Sequence, residues 1–153
     1  VSGWSDRLGQ LGITLPETVA PVAAYVPAVR TGNLVYTAGQ LPITAGKLPA
    51  VGKVGADVSP EQAKDLARQC GLNALAAVDS LVGLDAVVRV VKVVGFVASA
   101  PGFGGQPGVI NGASELFVEV FGDAGAHARS AVGVSELPLD APVEVEIIVE
   151  VSG

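Results

Sequence analysis

The stretch HARSAVGVSELPLDAPVEVEIIVEV, residues 127–151, puts Arg129 at the head of one predicted strand and Glu144, Glu146 and Glu150 on the next. An arginine presents a planar fork that grips a carboxylate through two parallel hydrogen bonds. An ion pair with one of the strand glutamates would use the same fork, and the pattern alone leaves both readings open. The three glutamates share one face of a period-two strand. A solvated face explains Glu146 and Glu150. A carboxylate opposite an arginine, such as Glu144, can also order a water or take a proton.

The other reactive side chains offer less. His127 is the single histidine and Cys70 the single cysteine; a catalytic triad or a zinc site needs other members, and there is no second His and no Cys pair. His127 reads as a loop residue near a strand start. Cys70 falls on the apolar face of a predicted helix and reads as a small core residue; Arg68 points elsewhere on that helix. Ser99–Pro107 lies between a strand and a helix, where a phosphate-cradling loop would sit. Pro107 stands where the third glycine of G-x-G-x-x-G would fall, and no Lys-Ser/Thr follows, so the segment reads as a connection that could act as a lid.

These residues need elements to position them, and 153 residues suffice for one domain with a real core. Half the residues are hydrophobic and 16% charged, which favours apolar surface buried between subunits. The net charge is −6 and the cations are scattered, which argues against nucleic acid as a partner. No run reaches the ~20 apolar residues that span a bilayer, so no membrane partner is expected. The run from Ala86 to Ala100 is broken by Arg89 and Lys92. A lone cysteine gives no disulfide, and no basic segment precedes an apolar one at the start, so a cytoplasmic location is the default expectation.

Trp4–Leu15 predicts a short helix with Ser5 as its cap, followed by an extended linker from Leu15 to Val22. Tyr25–Arg30 and Leu34–Thr37 predict strands around a Thr31-Gly32-Asn33 turn, and Leu41–Ile43 a third short one. Ser59, Pro60 and Gln62 open a long helix with Ala63, Leu66, Ala67, Cys70, Ala74, Ala77, Val78 and Leu81 on one face, stopping at Gly83. Val87–Ala98 predicts a strand buried on both faces. Val109–Phe121 is a second amphipathic helix, with Ile110, Ala113, Leu116, Phe117 and Val120 inward. Arg129–Val134 and Val143–Val151 are the last strands, joined through Leu137-Pro138-Leu139-Asp140. The order is β-β-β-α-β-α-β-β, an α+β layout with a mixed sheet and both helices packed on one face.

Several separated motifs resemble the Rid (reactive intermediate deaminase, YjgF-type) family, over most of the chain from Tyr25 to Val151. Ala128-Arg129-Ser130, Leu137-Pro138 with Asp140, and Val143-Glu144-Val145-Glu146 resemble its Arg-Ser strand, Leu-Pro-x-Asp turn and closing strand. Thr31-Gly32-Asn33 with Thr37-Ala38-Gly39-Gln40-Leu41-Pro42 resembles its Gly-Asn and Ser/Thr-Gly-Gln-Ile/Leu-Pro segments. Ile110-Asn111 and Phe117 resemble its second helix. The chain departs from the family pattern at Ala38, often serine there, at Ala131, often cysteine, and at Ser114, an aromatic in the family.

The resemblance implies a chorismate-mutase-like α+β fold and a homotrimer whose sheets form a central barrel, with sites in clefts between subunits. Residues 1–22 would be an N-terminal extension with a short helix, and 23–153 the Rid-like domain. It also implies hydrolysis of 2-imino or enamino acids to 2-oxo acids and ammonia, with no cofactor and no metal. Carried over, Arg129 would clamp the carboxylate of a small-molecule substrate, and Glu144 would sit near the imine and the attacking water. Tyr25, Gly39 and Asn111 would line the cleft. The alternative is a non-catalytic binding module for small carboxylate metabolites.

Overall fold

A computed structural model describes residues 3–21 and 23–153; the end of the predicted linker, Val22, lies outside them. The sheet has five strands: β1 (Ala28–Thr31), β2 (Leu34–Thr37), β3 (Val87–Ala98), β4 (Ala128–Val134) and β5 (Val143–Val151). Their spatial order is β1-β2-β5-β3-β4, antiparallel except for the parallel β3–β4 pair. Among the described residues three α-helices complete the fold: α1 (Trp4–Leu11), α2 (Pro60–Val82) and α3 (Gln106–Phe121). The mixed sheet with α2 and α3 on one face is the expected α+β layout. No helix among the described residues is long and apolar enough to cross a membrane.

Local chemistry accounts for most boundaries. Ser59 Oγ accepts the Gln62 N–H at 3.1 Å, and Pro60 begins α2. Burial of Ala63, Leu66, Ala67, Cys70, Ala74 and Val78 points this helix at the sheet, whereas Leu81 at its end is exposed, contrary to the pattern. On β5 the odd-numbered residues from Val143 to Val151 are buried under the helices, and the even-numbered ones face away. That alternation fixes which face each side chain joins.

Some expectations need correction. Leu41–Ile43 is not a strand. The carbonyls of Leu41 and Ile43 accept hydrogen bonds from Asn73 Nδ2 of α2 at 2.9 and 3.1 Å, so they are engaged by a helix side chain instead of a ladder. β1 begins at Ala28, after Pro27, which has no N–H to donate. β3 is buried on its helix face only; Val88 and Val91 are exposed. α1 is shorter than predicted, and Ser5 lies inside it. Asp85 Oδ1 accepts the Ser5 N–H at 2.8 Å in place of a local cap. Gly12, in the left-handed region at φ 69°, ends that helix. α3 begins at Gln106, earlier than the Gly/Pro-rich sequence suggests.

Candidate functional site

The sequence-predicted site residues fall into two groups on opposite faces of the sheet. Arg129 pairs with Val93 of β3, which pairs in turn with Ile147 of β5. Val93 and Ile147 are buried under the helices, so Arg129 shares the helix face and reaches α3. Glu144 pairs with Phe96 on the open face. β3 lies between the two strands, so β4 and β5, neighbours in sequence, are not neighbours in the sheet. Two strand spacings and three residues along the strand separate the two Cα atoms by about 14 Å. Arg129 and Glu144 of one chain therefore cannot hold the same small molecule.

At the first group, Arg129 Nη1 donates to Asn111 Oδ1 at 2.7 Å and to Ser114 Oγ at 3.1 Å. Nη2 makes a longer contact, 3.4 Å, with the Pro107 carbonyl. No described carboxylate lies within ion-pair distance of Arg129. The ion pair with a strand glutamate that the sequence left open is not formed. The guanidinium is steadied by neutral acceptors, its charge is not compensated locally, and Nε–H donates to no described residue. Asn111, expected to line the cleft, directs its side-chain oxygen at Arg129.

At the second group, Tyr25, Gly39 and Glu144 come together. They line a cavity of about 760 Å³ with Ala23, Val26, Val29, Tyr36 and Ala38 among the other walls. β2 parts from β5 after Tyr36, and Thr37 Oγ1 closes the gap by accepting the Ile147 N–H at 3.0 Å. Gln40 and Val145 then exchange backbone hydrogen bonds at 2.8 and 3.0 Å, which seats Gly39 beside Glu144. A Cβ on Gly39 would overlap the Glu144 carboxylate, so only glycine allows this approach. Burial, with Glu146 as a smaller cause, raises the Glu144 pKa above the ordinary carboxyl range. Such a carboxyl is a better proton carrier near neutrality than an exposed one.

The remaining candidates resolve simply. Cys70 is fully buried, and desolvation keeps its thiol protonated, its pKa well above the usual value. The segment from Ser99 to Pro107 is pinned: Gln106 Nε2 donates to the Phe103 carbonyl at 2.8 Å and to Ser99 Oγ at 3.1 Å. Among the described residues no group of His, Cys, Asp and Glu converges to hold a metal ion. Sequence reasoning missed His127 and Ser114, whose side chains lie 2.9 Å apart. The signal available was the replacement of the family's aromatic by Ser114.

Residues 16–151 match the family described as Endoribonuclease L-PSP. Protein TCP17 of Trypanosoma cruzi is 42% identical over 148 residues, 95% of this chain and 92% of its own length. The 2-iminobutanoate/2-iminopropanoate deaminase of Escherichia coli K12 is 34% identical over 136 residues, 89% of this chain and 94% of its own. Among solved structures, Atu1372 of Agrobacterium tumefaciens, of unknown function, superposes with a TM-score of 0.89 at 46% identity, covering 97% of this chain and 92% of that one. E. coli TdcF with bound serine superposes with a TM-score of 0.64 at 29% identity, covering 90% and 93%.

Proposed function

Because the chain belongs to the Endoribonuclease L-PSP family, the YjgF-type Rid proteins, we propose that it hydrolyses 2-imino acids to 2-oxo acids and ammonia. The observation that carries this reading is the Arg129 fork, held by Asn111 and Ser114 and paired with no described carboxylate. A fixed, uncompensated guanidinium favours an anion with two coplanar oxygens. The E. coli relative is named for 2-imino acid substrates, and TdcF carries serine, which has such a carboxylate.

The reaction needs little more than positioning, since an imine is already electrophilic. In this reading Arg129 holds the carboxylate while Glu144, as carboxylate, takes a proton from water attacking the imine carbon. It passes that proton to the imine nitrogen, giving a neutral aminoalcohol. Glu144 then takes the hydroxyl proton and delivers it to nitrogen; the C–N bond breaks, its electron pair leaves with ammonia, and the oxygen closes the C=O bond of the 2-oxo acid. The raised pKa of Glu144 suits both roles.

One chain cannot bring both residues to one substrate, so we assign the site to the cleft between subunits of a homotrimer. The sheets would meet around a central barrel, in a chorismate-mutase-like arrangement. Exposed apolar residues on the open face, Val29, Tyr36 and Val132, support such an assembly. The family description also names an endoribonuclease, but a net charge of −6 gives phosphates little to hold.

The test generates short-lived imino acids with an amino-acid oxidase and follows their loss. Wild type is expected to accelerate it and Arg129→Ala not to. The apolar Ala38 in the cavity wall favours one second reading, a carboxylate-binding module. That reading requires thermal stabilisation by a 2-oxo acid without turnover.

A further inference from the structure

Two residues stand behind Arg129 and are hydrogen-bonded in series. Ser114 follows Asn111 by three residues on α3, so their side chains share a face. His127 Nδ1 lies 2.6 Å from the Gly125 carbonyl, and its Nε2 lies 2.9 Å from Ser114 Oγ. A carbonyl can only accept, so Nδ1 carries the hydrogen. In the neutral ring Nε2 then accepts, and the Ser114 hydroxyl must donate to it. This turns the serine lone pairs towards Arg129 Nη1, which donates to them. The three bonds run in one direction, from Arg129 through Ser114 and His127 to Gly125, and each polarises the next. Gly125 is required at the end of this chain, because a Cβ there would overlap the Phe117 carbonyl.

We propose that Ser114 and His127 are positioning residues for the Arg129 guanidinium, and that protonation of His127 loosens its hold on a carboxylate. The second half of this proposal rests on reading Arg129 as the carboxylate clamp. When His127 gains a proton, Nε2 becomes a donor and the Ser114 hydrogen must turn away. An imidazolium and a guanidinium then flank one hydroxyl oxygen.

The surroundings resist that state at neutral pH. The ring sits edge-on to Phe117, 6.0 Å between centroids. Desolvation lowers its pKa, Arg129 lowers it further, and the Gly125 carbonyl opposes them. The other charged groups on the adjoining elements are Arg89 and Lys92 on β3, Asp123 in the turn after α3, and Glu115 and Glu119 on α3. Glu115 and Glu119 pair with Lys64 and Arg68 of α2. The positive neighbour acting on the imidazole is therefore the one it helps to hold.

Because His127 is the only histidine, nitrogen NMR of its ring reports this coupling without turnover. The expected result is an Nδ1–H tautomer titrating below the usual imidazole range, and moving upward in both Arg129→Ala and Ser114→Ala. An Nε2–H tautomer, or a titration indifferent to Arg129→Ala, overturns the proposal. Calorimetry with 2-oxobutanoate from pH 5 to 8 reads the hold itself. Ser114→Ala is expected to weaken binding about tenfold, the worth of one hydrogen bond to a charged group, and Ser114→Thr to restore it. Wild-type binding is expected to weaken on acidification, and His127→Gln to flatten that dependence. Binding that Ser114→Ala leaves unchanged sinks the positioning role while leaving the clamp intact. Coupling seen by NMR without any 2-oxobutanoate binding supports the positioning of Arg129 and removes the clamp.

Discussion

The two halves of the site are controlled by different means. Around Arg129 the protein works through hydrogen bonds: Asn111 and Ser114 both accept from Nη1, and His127 backs Ser114. Around Glu144 it works through shape. That carboxylate accepts no hydrogen bond from a described side chain, and lies against Gly39 in an apolar cavity. A guanidinium keeps its charge in nearly any environment, so only its orientation can be set. A carboxyl can change protonation state, so burial and a neighbouring Glu146 can tune it. In the proposed reading, recognition resides where the polar network is, and proton transfer where water is restricted.

The largest effect should follow from removing the fork. Arg129→Ala is expected to lower kcat/KM about 100-fold or more, as loss of a charged hydrogen-bonding partner does, with stability within about 1 kcal/mol of wild type. Arg129→Lys should recover little, because an ammonium cannot reproduce the fork. If Arg129→Ala instead unfolds the protein, as thermal melting would reveal, the arginine is structural and the contrast between the halves fails.

Glu144→Gln should act on kcat, by about 100-fold as for other general bases, with KM nearly unchanged. It should also melt at a higher temperature than wild type near neutral pH. A carboxyl whose folded pKa is raised binds more protons folded than unfolded between its ordinary and folded values. Its ionised form therefore costs stability above the folded pKa, and the cost vanishes as pH falls towards the ordinary carboxyl range. The stability gain should fade in step on acidification. A melting temperature independent of this substitution at every pH would show that Glu144 is not desolvated.

Gly39→Ala sharpens the same half by steric means. Its Cβ would overlap the Glu144 carboxylate, so kcat should fall about tenfold or more as the carboxylate is displaced by about an ångström. The His127 ring resonance should not move. A shift there would mean that the halves communicate.

Much of the framework was legible in the sequence because the deciding contacts are local. Ser59 and Pro60 announce α2, and the alternation from Val143 to Val151 announces β5 and the face of Glu144. The errors arise where a distant residue decides. Asp85 supplies the cap at α1 that Ser5 was expected to provide, and Asn73 takes the carbonyls of Leu41 and Ile43. Chain order made β4 and β5 look adjacent, but β3 separates them. Arg129 and Glu144 stood out by residue type and strand position, their roles came from the resemblance, and Ser114 was noticed only as a departure. Its partnership with His127 spans the turn after α3, and neither side chain shows a period that sequence could reveal.

The central claim is that each site takes Arg129 from one subunit and Glu144 from another. It is tested by unfolding and refolding Arg129→Ala and Glu144→Gln chains together at equal concentration, then assaying imine hydrolysis. In a cyclic trimer with random mixing, about one quarter of the clefts should combine an intact arginine with an intact glutamate, so the mixture is expected to regain about that share of wild-type activity. Mixed trimers that form yet stay as inactive as either parent would show that the two residues do not share a site across subunits.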